Sequence, residues 1–302
     1  MTPFHIGLVL LANAVWGFNF VAAKYGVTHF PPIFFSGLRF VIVLAFAFPF
    51  IRYVRGQMRF VVGSALTMGV LHYSLMFTAM RLADEVSSLA VVVQMFVPFS
   101  TVIAVIFLGE RIGVWRIGGL VLAFSGVMVI AFDPGVFSYI EAVVLAMIAA
   151  LAASVSTVFV RMMRDVSVFN LQAWLAIISA PGLLAVSWIF ESGQMEAVYS
   201  ADVLAWSSIA FSAIGASLVG HGIVFFLLRH YPVTVTMPYM LLTPVLGVIF
   251  AVLILGDTLT TRILIGGFIT LAGVGLISLR EAHKRAQARA QAEEQTNALT
   301  EP

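Results

Sequence analysis

Two stretches decide how this chain folds: VIFLGERIGVWRIGGLVLAFSGVMVI (105–130) and VLILGDTLTTRILIGGFITLAGVGLI (252–277). Laid over one another at an offset of 147, Leu108-Gly109-Glu110 falls on Leu255-Gly256-Asp257, Ile112 on Leu259, Gly119 on Gly266, Gly126 on Gly273 and Ile130 on Ile277. Each stretch reads as the end of one apolar helix, a tight Gly-acid turn, and a second apolar helix that carries glycines. A fixed offset that holds for charge, glycine and branched residues together marks an internal repeat.

The rest of the chain has the same texture. It has 302 residues, of which 61% are hydrophobic and 10% charged, with a mean hydropathy of +1.06. Soluble domains are near half apolar and a quarter charged, so this chain lacks the polar surface to face water and takes the bilayer as solvent. It has no cysteine, which excludes disulfides, thiolate catalysis and thiolate metal sites. No G-x-x-x-x-G-K-[ST] phosphate loop occurs, so this chain alone does not drive transport with ATP.

A membrane-crossing helix needs about 20 mostly apolar residues. Ten such segments are expected, near 4–23, 32–51, 60–80, 86–108, 112–132, 138–160, 168–190, 203–227, 234–255 and 261–280. The first lacks a basic leader and a cleavage site and is read as a retained helix rather than a signal peptide. All 14 acidic residues lie at segment ends, in loops or in the tail, as the cost of a carboxylate at the bilayer centre requires. The residues after Arg280 are Ala-, Gln- and Arg-rich and then acidic, and are expected to form a frayed, partly disordered tail at 281–302.

Basic residues orient the chain. Twelve of the 16 (Arg52, Arg55, Arg59, Arg111, Arg116, Arg161, Arg164, Arg229, Arg280, Lys284, Arg285 and Arg289) fall on the side that holds both termini. Three (Lys24, Arg81, Arg262) fall on the other, and Arg39 lies within the second segment. Both termini are therefore expected in the cytoplasm of a bacterium, with the protein in the inner membrane. Five segments per repeat is an odd number, so the halves 1–134 and 135–280 are expected to be inverted. Inverted repeats place a transport site near the midplane between them. The expected class is all-α, ten transmembrane helices in two inverted five-helix repeats.

Over nearly all of residues 1–280 the chain resembles the EamA-like family of the drug/metabolite transporter superfamily. The resemblance rests on Trp16-Gly17-Phe18-Asn19-Phe20, Pro31-Pro32, Gly37-Leu38-Arg39-Phe40, Pro98 to Leu108, Gly109-Glu110-Arg111, Gly118-Gly119 and Ser125-Gly126-Val127, echoed by Thr243-Pro244, Gly256-Asp257 and Gly273. It implies two inverted five-helix repeats and efflux without ATP. The order of elements is most similar to exporters of amino acids and their biosynthetic relatives, although members also carry sugars, nucleotide sugars and amines. Asp257 stands where the family usually shows Glu, which keeps the charge and shortens the reach.

Several side chains are candidates for the transport cavity. Pro98 and Pro244 each free a carbonyl inside a corresponding segment, with Gln94 one turn before the first, and Tyr239 and Thr243 before the second. Trp16 and Asn19 share a helix face. His72 and His221 are 149 apart, close to the repeat offset, and a histidine carries a proton near neutral pH. Tyr73 and Met76 extend that region, and Ser154 and Thr157 make the sixth segment small and polar. Candidate coupling groups are His72, His221 and Glu85. Packing, kinks and interhelical hydrogen bonds compete with function at each position. Three residues are expected to be structural: Glu110 and Asp257 as caps of the helices that follow them, ahead of a coupling role, and Arg39 paired with Glu85 or Glu141 or snorkelling outward, ahead of a substrate contact. No cofactor or metal is expected. Expected partners are a small-molecule substrate and the lipid bilayer, with no nucleic acid, and homodimerisation is open. A membrane-embedded enzyme or a channel are the competing classes; the first lacks clustered intramembrane acids and a nucleophile motif, and the second does not require an inverted repeat.

Overall fold

The computed structural model describes residues 1–82, 92–131, 140–255, 261–262, 264–277 and 279–280. Helix α1 is Pro3–His29 and α2 is Pro32–Ala47. Helix α3 runs from Met58–Ser64 through a π-helical stretch, Ala65–His72, into Tyr73–Leu82. Then come α4 (Phe96–Leu108), α5 (Val114–Ala131), α6 (Ile140–Met162) and α7 (Val168–Phe190). A short helix, Gln194–Ser200, precedes α8, which passes from Val203–Phe211 through a second π stretch, Ser212–His221, to Gly222–His230. Helix α9 joins Val233–Thr236, a 3-10 stretch Met237–Leu241, Leu242–Phe250 and a π turn Ala251–Leu255, and α10 is Leu264–Ile277.

Local chemistry sets these boundaries. Thr2 opens α1 by accepting the His5 N–H, with Pro3 in the first turn, where its missing donor is harmless. Extended Phe30 and Pro31 close α1 and open α2, because a residue before proline is pushed out of the helical region. Ser167 and Asp202 cap α7 and α8. The Ala205 N–H, and then the Tyr25 hydroxyl, hold the Asp202 carboxyl below the usual carboxylate range. Gly109 ends α4 with φ of 64°, a left-handed cap that glycine adopts without strain.

Among the described residues, α1, α2, α3, α6, α7, α8 and α9 give seven helices long and apolar enough to cross a membrane. The described parts of α4, α5 and α10 are apolar but shorter. Within the expected segment 86–108, residues 92–93 are helical, 94–95 form a turn, and the helix resumes at Phe96 as α4. Pro98 thus sits in the first turn after that break. The Gln94 carbonyl, which Pro98 cannot serve, accepts the Val97 N–H instead. Pro244 likewise lies in the first turn of Leu242–Phe250, directly after the 3-10 stretch. Both prolines mark a helix restarting. Residues 83–91 and the tail 281–302 lie outside the described residues.

The packing is paired. Helix α1 lies against α8 and α9, α6 lies against α3 and α4, α2 against α7 and α8, and α7 against α3. Exchanging α1–α5 with α6–α10 maps this set onto itself. The helix surfaces facing away from these contacts are apolar: Phe107, Trp188, Phe190, Leu253 and Phe268 are all more than two-thirds exposed. Asn13, Ser64, Ser154, Ser212 and Thr234 are fully buried. Polar groups inside and hydrocarbon outside suit a lipid environment.

The α5–α10 contact carries the symmetry at atomic scale. A Cβ on Gly119 would fall on Ile277 and the Gly273 carbonyl, and one on Gly126 would fall on Thr270 and the Gly266 carbonyl. Gly119 thus faces Gly273 while Gly126 faces Gly266, an antiparallel crossing. These are the glycines that the 147-residue offset pairs. A two-fold operation that exchanges α5 and α10 leaves the crossing unchanged.

Candidate functional site

The two π stretches begin at Ala65 and Ser212, positions that are again 147 apart, and they end at His72 and His221. Widening a helix turn leaves carbonyls without their usual helical donor, and such turns gather at functional sites. In α8 side chains take these carbonyls. The Ala216 carbonyl accepts from His221 Nδ1 at 2.9 Å and from Trp16 Nε1 at 3.0 Å, and the Ser212 carbonyl accepts from Ser217 Oγ. In α3, His72 Nδ1 instead bonds the Ala149 carbonyl of α6 at 2.9 Å.

A carbonyl only accepts, so Nδ1 carries the proton in both rings, and in the neutral ring Nε2 of His221 is an acceptor. The Tyr73 hydroxyl lies 3.4 Å from that atom, and Tyr73 in turn accepts from Arg39 Nη2 at 3.1 Å. Arg39 Nε donates to Ser217 Oγ at 2.5 Å. The result is a directed chain of donors from Arg39 through Tyr73 to His221 and Ala216, and from Arg39 through Ser217 to Ser212. The Trp16 ring lies 5.1 Å from His221, and the Arg39 guanidinium lies 5.0 Å from the Tyr73 ring centre. Helices α1, α2 and α3 of the first half thereby meet α8 of the second.

The structure brings Trp16, Tyr73 and His221 into this network, and His72 touches it through its ring contact with Tyr73 at 4.9 Å. Asn19 sits beside it and accepts from Ser212 Oγ at 2.7 Å. Thr243 donates to Asn13 Oδ1 at 2.6 Å and so ties α9 to α1. Gln94 is buried, and among the described residues its side-chain carbonyl has no hydrogen-bond partner. The Ser154 hydroxyl lies within reach of the Phe96 and Ala150 carbonyls, and Thr157 bonds back to Ala153. Met76 packs with Ala79, Ala142, Ala146 and Ala149 between α3 and α6. Tyr239 is buried in the 3-10 stretch ahead of Pro244. Among the described residues, no hydrogen bond or ring contact joins Met76, Gln94, Thr157 or Pro98 to the network.

Two structural expectations change. Arg39 neither snorkels nor pairs with Glu141: it is 3% exposed and bound to neutral hydroxyls, while Glu141 is exposed at the start of α6. Glu85 and Asp257 lie outside the described residues. Glu110 does cap a helix, but not the one that follows it. Its two oxygens accept the N–H groups of Val233 and Thr234, each at 2.9 Å, at the start of α9, where Pro232 offers no side-chain cap. Glu191, which the sequence reading passed over, does the same for α2 through Ile33 and Phe34. Asn13, Ser212 and Ser217 were also missed. A deep asparagine is a legible signal, but serines in a run of small residues are not.

The sequence profile of the EamA-like transporter family matches residues 3–132 and again residues 140–279. The chain belongs to the EamA-like transporter family. Relatives of this EamA-like protein include two named "Probable amino-acid metabolite efflux pump". One, from Salmonella typhimurium, is 28% identical over 275 residues, 88% of this chain and 92% of the relative. The other, from Escherichia coli, is 27% identical over the same extent. An uncharacterized transporter of Bacillus subtilis is 25% identical across 88% of this chain and 94% of its own. A solved structure at 16% identity superposes with a TM-score of 0.76 over 92% of this chain and 98% of the other, which establishes the shared fold.

Proposed function

We propose that this EamA-like protein is a secondary exporter of small amino acids or amino-acid pathway intermediates, working by alternating access between two inverted halves, 1–134 and 135–280. The observation that supports it best is the buried network of Arg39, Tyr73, Ser217, His221 and Trp16. It lies mid-helix and joins the first half to the second, where a carrier of this architecture holds its substrate. Relatives named as amino-acid metabolite efflux pumps favour that substrate class. Both termini face the cytoplasm in this reading, which the excess of Arg and Lys in the loops on that side supports. His72 and His221 are the groups through which a proton gradient would couple.

The test is counterflow in proteoliposomes. Saturable exchange of labelled against unlabelled amino acid supports the reading. Chemical conversion of the substrate, or ohmic current without counterflow, would replace it with an enzyme or a channel. If the rate is the same with and without an imposed pH gradient, the histidines are not coupling groups.

A further inference from the structure

Arg39 is the eighth of the sixteen residues of α2, about 12 Å along a helix that rises about 1.5 Å per residue. That depth lies well inside a hydrocarbon layer about 30 Å thick. Its guanidinium is charged at every physiological pH, and the residue is 3% exposed. Buried charges in proteins are normally paired. Here the bonds go to the hydroxyls of Ser217 and Tyr73, and the ring faces of Tyr73 and Phe40 lie alongside. These are all neutral groups. Two of the five N–H donors are used among the described residues.

No carboxylate is at hand from the helices that surround it. Helix α2 packs against α1, α3, α7 and α8. The chain holds no Asp or Glu before Asp84, none in 168–190 and none in 203–230, so all five helices are free of acid. The basic residues of the same helices, Lys24, Arg59, Arg81 and Arg229, stand near helix ends. A single fixed cation is therefore held between the two halves, lined by aromatic rings, without a counter-ion on the helices that enclose it.

We propose that Arg39 is the carboxylate-receiving group of the transport site, so that the substrate supplies the missing counter-ion. A guanidinium presents two parallel N–H donors that match a carboxylate bidentately. One positive charge suits a monoanion and leaves a phosphate dianion unbalanced. Tyr73 and Ser217 then act as placeholders that orient the empty guanidinium. This rests on the transport reading above and narrows it: the carried molecule must bear a carboxylate.

Counterflow by the purified wild-type protein is measured with L-alanine, L-threonine, L-methionine and L-phenylalanine, with their carboxamides, and with the matching acids that lack the amino group. The acids are expected to exchange, and the amides to exchange at least about tenfold more slowly, the effect of losing a charge-assisted hydrogen bond. Arg39→Gln is expected to abolish exchange of the acids, and Arg39→Lys to retain a fraction, since it keeps the charge but not the fork. Amides that exchange as fast as the acids would overturn the role of Arg39 and leave the transport reading standing. No exchange of any compound would overturn both. The wild-type comparison decides alone if Arg39→Gln fails to fold. In a melting assay the acids are expected to stabilise the wild type where chloride at equal concentration does not. Stabilisation by chloride alone would assign Arg39 to an inorganic anion instead.

Discussion

Replacing Glu110 with alanine separates a structural carboxylate from a coupling one. The side chain accepts two backbone N–H groups at 2.9 Å each, at a helix start that has no other side-chain cap. A hydrogen bond to a charged group contributes about 1.5–3 kcal/mol. At the low end the pair is worth about 3 kcal/mol, and the favourable charge at a helix N-terminus adds about 0.3–1 kcal/mol. The Arg161 Nε, 3.8 Å away and partly exposed, adds little. For a chain of this size about 1 kcal/mol moves the melting temperature by about 2 °C. Glu110→Ala should therefore melt about 6–8 °C lower, and Glu110→Gln, which keeps one acceptor oxygen, about half as much. Fluorescence-monitored melting of the detergent-purified protein measures this, with exposed Glu141→Ala, which loses only a first-turn charge, as a control shifted by no more than about 2 °C. If Glu110→Ala melts with the wild type, the cap contributes nothing. If melting is unchanged while counterflow is lost, Glu110 belongs to the coupling machinery.

Gly126→Ala and Gly273→Ala should each lower melting by several degrees, because the new Cβ meets backbone of the opposite helix, while Gly118→Ala, with open space around it, should not. Asn13→Ala and Thr243→Val should show a coupling energy of about 1 kcal/mol in a double-mutant cycle of melting, the worth of their shared hydrogen bond; additive effects would mean the bond is not formed. Asn19→Ala and Gln94→Ala should reduce counterflow at wild-type membrane yield; if both transport normally, the cavity is lined by other residues.

Much of the architecture can be read from the sequence because its signals are local or periodic. Apolar runs mark the helices, and the offset that pairs Gly119 with Gly266 and Gly126 with Gly273 reappears as the α5–α10 crossing. That Glu110 caps a helix is readable from its place after Gly109. Which helix it caps is not, because Val233 is 123 residues away and only tertiary packing brings it there. The π stretches have no local signature; in α8 the Ala216 carbonyl is taken up by Trp16 and His221, and the Trp16 partnership forms only once the helices are assembled. Arg39 shows the limit of a general rule. A buried cation leads one to expect a carboxylate partner, and serine or tyrosine in that position is invisible until the helices are assembled.

The glycine seam between α5 and α10 has a mechanical consequence. Contacts fall into two kinds under exchange of the halves: α5–α10 and α2–α7 map onto themselves, whereas α1–α9 trades places with α6–α4. A rearrangement in which each half adopts the other's shape leaves the first kind untouched and rebuilds only the second. Under the alternating access proposed above, the seam would act as an axle, because backbone lies against backbone there with only Thr270 and Ile277 side chains beside it. The protein would open toward either face by turning about a contact that looks the same from both ends.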